Sequence, residues 1–344
     1  MFSSFDRDVT WCYHVSNTVS ALYMNTDPKL KIIQDTFDIN AIYARTVFLL
    51  VRSSKNYIDD AKAIIAEKPK PFVKWIGGKR QLLKQFRLLD LYPPDGFDSE
   101  KAKYFEPFVG GGAVFFDLLP RKAYLSDLNA ELVITYNVIK CDVEKLIVSL
   151  KKQKYEKEYF LKVRSKDPKK LTDLQIATRF IFLNRTCFNG MYRVNSKGGF
   201  NVPFGKYDNP QICDEDNLRK VSLALKNVEI KHRDYKAVLK LAKKGDFIYF
   251  DPPYHPVSKT AAFTAYTSNG FGEKEQRELR NIFLELHKKG CFVMLSNSDV
   301  PFINEIYSEL KKYGIRVNKV SAGRAINSKA SGRGKIHEIL ITNY

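Results

Sequence analysis

Short apolar runs recur along this chain, and between them apolar positions fall at helical spacing. Residues 103–106 and 123–126 read as short strands, and residues 228–231, 247–250, 292–295 and 336–342 as clearer ones. Residues 113–119, 273–287 and 300–313 carry the spacing of helices that bury one face. Strands alternating with helices predict an α/β fold built on an open, mainly parallel sheet. From residue 131 to about residue 220 the strand rhythm stops and the pattern turns mostly helical, broken by a loop rich in Gly, Asn and Pro at 195–207. An inserted helical domain is expected there. Residues 1–65 hold amphipathic stretches at 30–37 and 41–51 and no motif, and Pro69 and Pro71 mark a break. The expected division is a helical extension of unassigned role (1–68), a sheet domain in two pieces (69–135 and 223–344) and the insertion (136–222).

Composition narrows the class. In 344 residues, 57 Lys and Arg stand against 38 Asp and Glu, a formal charge of +19, while 44% are hydrophobic and 13% aromatic. Wholesale disorder is excluded, and the charge points to a polyanionic partner. No apolar run approaches the roughly 18–20 residues of a membrane span; the best, 41–51, is interrupted by Arg45. Neither a membrane partner nor a secretory signal is expected, and the expected location is cytoplasmic, nucleoid-associated in a prokaryote. Five scattered cysteines without a C-x-x-C pair, and five histidines without an H-x-x-x-H pair, give no reason to expect a metal.

The charge is concentrated. Residues 1–70 hold nine basic and eight acidic side chains, whereas residues 151–207 hold 14 basic and 4 acidic. Within the latter, Arg179, Arg185 and Arg193 alternate with Phe180, Phe182, Phe188, Tyr192, Asn184 and Asn189. Arginine and asparagine read base edges and aromatic rings fill or stack in an opened duplex, so this stretch is expected to form a nucleic-acid face.

Two turns carry chemistry. Glu106-Pro107-Phe108-Val109-Gly110-Gly111-Gly112 joins a strand to a helix, and Asp127 ends the next strand, 17 residues after Gly110. Glycines let backbone approach a ligand, and a carboxylate at that strand end suits a ribose diol. The pattern fits a nucleoside cofactor; without the full G-x-G-x-x-G it leans away from a dinucleotide, leaving NAD and S-adenosylmethionine both open. The strand 247–250 then runs into Asp251-Pro252-Pro253-Tyr254. Two prolines force a sharp turn that gathers a carboxylate, a carbonyl and an aromatic ring. That set suits an exocyclic amine: Asp251 and the Pro252 carbonyl accept its N–H bonds, freeing the nitrogen lone pair, while Tyr254 stacks on the base.

The chain resembles the Dam-type adenine-N6 DNA methyltransferases (the D12 class, alpha subgroup), and among them the methylases of GATC restriction–modification systems. The resemblance runs from about Pro71 to Tyr344. It rests on Phe72-Val73-Lys74-Trp75-Ile76-Gly77-Gly78-Lys79, the glycine turn with Asp127, Phe188-Asn189-Gly190-Met191-Tyr192-Arg193, Phe200-Asn201-Val202-Pro203-Phe204-Gly205 and the Asp251–Tyr254 turn. Phe263-Thr264-Ala265-Tyr266-Thr267, Leu295-Ser296-Asn297 and Gly332-Arg333-Gly334-Lys335 follow. It implies a Rossmann-like methyltransferase sheet with an inserted target-recognition domain, and transfer of a methyl group from S-adenosylmethionine to N6 of a flipped adenine in duplex DNA, within GATC, releasing S-adenosylhomocysteine.

The same resemblance implies roles. Trp75, Lys79, Phe108, Gly110, Asp127, Asp234, Tyr235 and Asp251 would line the cofactor site, and Asp251, Pro252 and Tyr254 the catalytic one. Phe188 and Asn189 would fill the gap left by the flipped base and hold its partner, while Lys74, Met191, Arg193 and Pro203 would read the outer and third base pairs. Arg193 has independent support, since arginine bidentate to guanine is the commonest specific base contact. Met191 departs from the leucine of the family, a change that keeps an apolar contact. A loop at 258–271 would order over the target strand. A paired restriction endonuclease and a monomer or weak dimer are the expected associations. The alternatives are an N4-cytosine methyltransferase, against which Asp rather than Ser before Pro-Pro-Tyr argues, and a catalytically silent DNA-binding module of the same fold.

Overall fold

The computed structural model describes residues 68–195, 198–256, 271–323 and 335–344, with three single positions nearer the N-terminus. Backbone contacts divide the chain into Met1–Pro69 and Lys70–Tyr344; the fold below is that of the second unit. The expected N-terminal helices, the loop 258–270 including Phe263-Thr264-Ala265-Tyr266-Thr267, and Gly332-Arg333-Gly334 lie outside the described residues.

A seven-stranded sheet forms the centre: β1 (Tyr104–Glu106), β2 (Ala123–Asp127), β3 (Val228–His232), β4 (Phe247–Phe250), β5 (Phe292–Ser298), β6 (Arg316–Gly323) and β7 (Lys335–Thr342). Their order is β3-β2-β1-β4-β5-β7-β6. Strands β1 to β5 pair in parallel, and β7 runs antiparallel to both β5 and β6. The expected open, mainly parallel sheet is therefore present. Strand β6 is not among the expected strands. It is an edge strand of mostly polar residues, Arg-Val-Asn-Lys-Val-Ser-Ala-Gly, and an edge strand need bury little of its length.

Strand β4 explains why its sequence is apolar throughout. Phe247 and Tyr249 enter the core on one sheet face, and Ile248 and Phe250 enter the core on the other. All four are buried, as the period of two requires when both faces are covered. One face is closed by helices Glu273–Lys288 and Pro301–Ser308. The other shares its core with the insertion, where Phe160, Phe180, Phe182 and Phe200 join Phe72, Tyr104 and Phe247.

The insertion is launched by a long helix, Ala130–Lys151, whose backbone departs from helical angles at Asp142. Before that point Asn137 and Lys140 donate to the β3 carbonyls of Ile230 and Val228; beyond it Ser149 accepts from Thr178 at 2.9 Å. One helix thus ties the sheet to helix Asp173–Thr186 of the insertion. Because β1 lies between β2 and β4, chain order reverses there, and the ends of these three strands border the crevice where open α/β sheets bind ligands.

Candidate active site

At the end of β1 the chain makes the glycine turn. Gly110 and Gly112 have φ of +45° and +69°, and Gly112 precedes helix Ala113–Leu118. The Trp75 indole covers Gly110 so closely that a Cβ there would stand 2.5 Å from its Nε1. Glycine is required twice at one position, by the left-handed backbone and by the ring. Asp127, at the end of β2, fastens this turn: one carboxylate oxygen accepts from the Gly110 N–H at 3.0 Å and the other from the Asn129 N–H at 2.9 Å. Burial raises its pKa, and the backbone N–H bonds oppose the rise. The carboxylate keeps acceptor capacity for a further donor such as a sugar hydroxyl.

Beside it stands an aromatic shelf. Phe108 stacks on Tyr235 with centroids 5.2 Å apart, and Phe271 meets both rings edge-on at 5.7 Å. The Tyr235 hydroxyl donates to Glu278 at 3.1 Å, while exposed Asp234 caps the turn by accepting from the Lys236 N–H. Turn, carboxylate and shelf together suit a nucleoside.

Strand β4 delivers Asp251 next to this turn. Lys79, 3% exposed, places its ammonium 2.8 Å from Asp251 Oδ1, donates to the Gly77 carbonyl and lies 4.8 Å from the centre of the Tyr254 ring. Burial pushes the Asp251 carboxyl up to about 6; the Lys79 ammonium pulls it down and the charge of Glu338 pushes it further up. The Tyr254 hydroxyl donates to Glu338 Oε2 at 2.7 Å. Deeper still, burial lifts Glu106 to about 8 although it accepts from the Tyr104 hydroxyl and the Phe115 N–H.

The turn is braced from behind by buried amides. Gln276 donates to the Pro253 carbonyl at 2.9 Å and accepts from Asn297 at 2.9 Å; Asn297 in turn accepts from the His255 N–H. The Ser298 hydroxyl donates to the His255 carbonyl at 2.7 Å. Satisfied networks of this kind fix one geometry. Sequence reasoning missed Glu106, Gln276 and Glu338 as site residues. Glu106 and Gln276 sit in ordinary strand and helix patterns, and Glu338 reaches Tyr254 across 84 positions, a relation no spacing carries.

The expected nucleic-acid face divides in two, and half of it is corrected. Helix Asp173–Thr186 is interior: Phe180, Phe182, Arg179 and Asn184 are all buried. Arg179 pairs with Glu131 at 2.8 Å and donates to the carbonyls of Val163 and Arg164, while Arg185 donates to the Phe72 carbonyl. Neither arginine faces outward as a base reader must; both are structural. The second half is exposed. After Cys187 the chain turns through Phe188–Gly190, with Asn189 at φ +55° and Phe188 51% exposed.

The Phe188 N–H donates to the Pro203 carbonyl at 2.9 Å, and Arg193 is exposed and holds Asn201 Oδ1 at 2.8 Å. The Lys74 chain lies against Gly190, its ammonium 4.3 Å from the centre of the Tyr207 ring, and buried Asn184 clasps the Lys74 backbone on both sides. Burial and Arg185 hold the Lys74 ammonium below its ordinary pKa. Lys74, Phe188, Asn189, Arg193 and Pro203 are exposed and Met191 half-buried; of these six residues expected to meet DNA, five lie between 188 and 203 and Lys74 packs against that segment at Gly190. Trp75 joins it to the glycine turn, stacking towards Tyr192 at 6.2 Å. Tyr192 also donates to Glu131, the partner of Arg179.

Among the described residues no cluster of His, Cys, Asp and Glu could hold a metal, and no helix is long and apolar enough to cross a membrane. A family model, D12 class N6 adenine-specific DNA methyltransferase, matches residues 75–322. The chain is 44% identical over 283 residues to the Type II methyltransferase M1.LlaDCHI of Lactococcus lactis, covering 80% of this chain and 95% of that one. It is 43% identical over 293 residues to the Type II methyltransferase M.MjaIII of Methanocaldococcus jannaschii, covering 80% and 99%. To the DNA adenine methylase of Haemophilus influenzae it is 33% identical over 279 residues, covering 79% and 93%.

Proposed function

The chain belongs to the D12 class of N6 adenine-specific DNA methyltransferases, and from that premise we propose that it methylates adenine within GATC after turning the base out of the duplex. The observation that carries this reading is the convergence of Asp251, Lys79 and Tyr254 on a braced turn beside the Asp127–Gly110 contact. A base stacked and paired in the duplex cannot bring N6 to such a turn, so the target must leave the helix.

S-adenosylmethionine supplies an electrophilic methyl group carried on a sulfonium. Trp75, Lys79, Phe108, Gly110 and Asp127 form its site in this reading, with Asp127 on the ribose hydroxyls and Asp234 and Tyr235 at the adenine end; the turn, carboxylate and aromatic shelf fit such a nucleoside. Asp251 Oδ and the Pro252 carbonyl accept hydrogen bonds from the two N6–H groups, which favours a pyramidal nitrogen with its lone pair free. Lys79 keeps Asp251 ionised against its burial. Tyr254 stacks on the base, and positioning does most of the work. The N6 proton becomes acidic once the nitrogen carries its new substituent, so an oriented acceptor suffices.

On the duplex side, Phe188 occupies the vacated space and Asn189 holds the orphaned partner. Lys74, Met191, Arg193 and Pro203 read the flanking pairs. Residues 136–222 act as the recognition domain, 69–135 and 223–344 as the catalytic domain, and 1–68 as an extension. The enzyme acts as a monomer or weak dimer paired functionally with a restriction endonuclease. Duplex oligonucleotides carrying GATC and each single-base variant of it test the site: methylation confined to GATC supports it, and equal methylation of a variant refutes it.

A further inference from the structure

We propose that Glu338 is a positioning residue for methyl transfer: its carboxylate anchors, through the phenol hydroxyl, the far end of the Tyr254 ring on which the target base stacks. The bond is 2.7 Å from hydroxyl to Oε2, in the short range of charge-assisted O–H···O⁻ contacts. The two ends are unequal in rigidity. Tyr254 stands on a turn after the end of β4, whereas Glu338 lies within β7, paired with Ser298 of β5 on one side and Val320 of β6 on the other. Because β7 runs opposite to β5, its first residues lie at the sheet edge where β4 delivers Asp251.

Glu338 therefore reaches the site from a ladder-bonded strand, which holds a side chain more firmly than a loop can. Two other polar groups neighbour the ring: Lys79, which is engaged by Asp251 and touches only the face of the ring, and Asp251 itself, whose carboxylate the Tyr254 hydroxyl also approaches. Lys79 lies over the face of the ring, whereas the hydroxyl bond fixes where the ring's far end sits and so its swing about the Cα–Cβ bond. A base stacked on a ring free to swing would present N6 to Asp251 at several distances and angles, only some of them reactive.

This inference rests on Tyr254 being the ring that stacks on the target base. The test is a double-mutant cycle on the full chain, read as single-turnover methylation of duplex DNA with labelled S-adenosylmethionine. Glu338→Ala should lower the rate about tenfold or more, with KM for DNA and for the donor within about threefold. Glu338→Gln keeps a carbonyl acceptor and should recover to within about threefold of the parent. Tyr254→Phe should lose as much as Glu338→Ala, and the double variant no more than either.

Losses that multiply in the double variant, a fully active Tyr254→Phe, or a Gln variant as poor as the Ala variant would each overturn the proposal. If Glu338→Ala does not fold, Glu338→Leu, which fills the space without an acceptor, takes its place in the cycle. Rates are taken relative to the parent, and the identity of the methylated base is established on the parent alone. A failure of the GATC reading is therefore distinct from a failure of this one.

Discussion

In the proposed mechanism Asp251 is a carboxylate asked to accept hydrogen bonds in a site that disfavours its charge. Burial moves it up to about 6, so it is ionised at neutral pH and protonated not far below. The sign is fixed: protonation removes the acceptor, so kcat/KM should fall as pH drops through about 6, tenfold per unit for a single group. Lys79 lowers this pKa, so Lys79→Gln should move the acid limb to higher pH in addition to its direct loss of rate. A limb that stays in place, or moves down, would mean that the ammonium does not set the carboxylate's ionisation. Asp251, Tyr254 and the glycine turn were legible in the sequence because contiguous residues make them. Glu338 and Glu106 were not: the register of β7 against β5 brings the first to the site, and burial beneath the β1 turn perturbs the second.

At the level of elements, helix Asp173–Thr186 shows where pattern reading fails. Alternating arginines and aromatics suggested a binding surface, yet a helix packed between the long Ala130–Lys151 helix and the Trp75 segment is interior on nearly every side. A buried arginine and a base-reading arginine look alike in sequence; their partners tell them apart. Arg179→Met leaves Glu131 without its cation and should cost about 3–5 kcal/mol in a denaturant titration, with the salt dependence of DNA binding unchanged. Arg193→Ala should alter stability by about 0.5 kcal/mol or less, while relaxing discrimination at one flanking base pair by about 1–3 kcal/mol. If the two outcomes were exchanged, the division of this segment into scaffold and reading loop would be wrong. The strands from β1 to β5 were legible through their apolar runs, and polar edge strand β6 was not.

Over the whole molecule, the net +19 falls mainly outside the first 70 residues, with residues 151–207 carrying the densest excess. Part of that excess is engaged within the protein: Arg179 and Arg185 are tied to Glu131 and Phe72, and Lys151 pairs with Glu215 at 2.7 Å. Exposed lysines such as Lys162, Lys166 and Lys170 remain for phosphates. Replacing these three with Gln should reduce the slope of log affinity against log salt by about 0.9 for each phosphate no longer neutralised, leaving the proposed preference for GATC over its variants intact. An unchanged slope would put the duplex on another face. The central claim is that the Asp251–Tyr254 turn methylates adenine N6. Its most direct test is nucleoside analysis of a GATC duplex after incubation with deuteromethyl-labelled S-adenosylmethionine, for the parent and for Asp251→Ala. We expect labelled N6-methyldeoxyadenosine from the parent and none from Asp251→Ala, whose duplex affinity stays within a few-fold. Label on cytosine, or full labelling by Asp251→Ala, would contradict it.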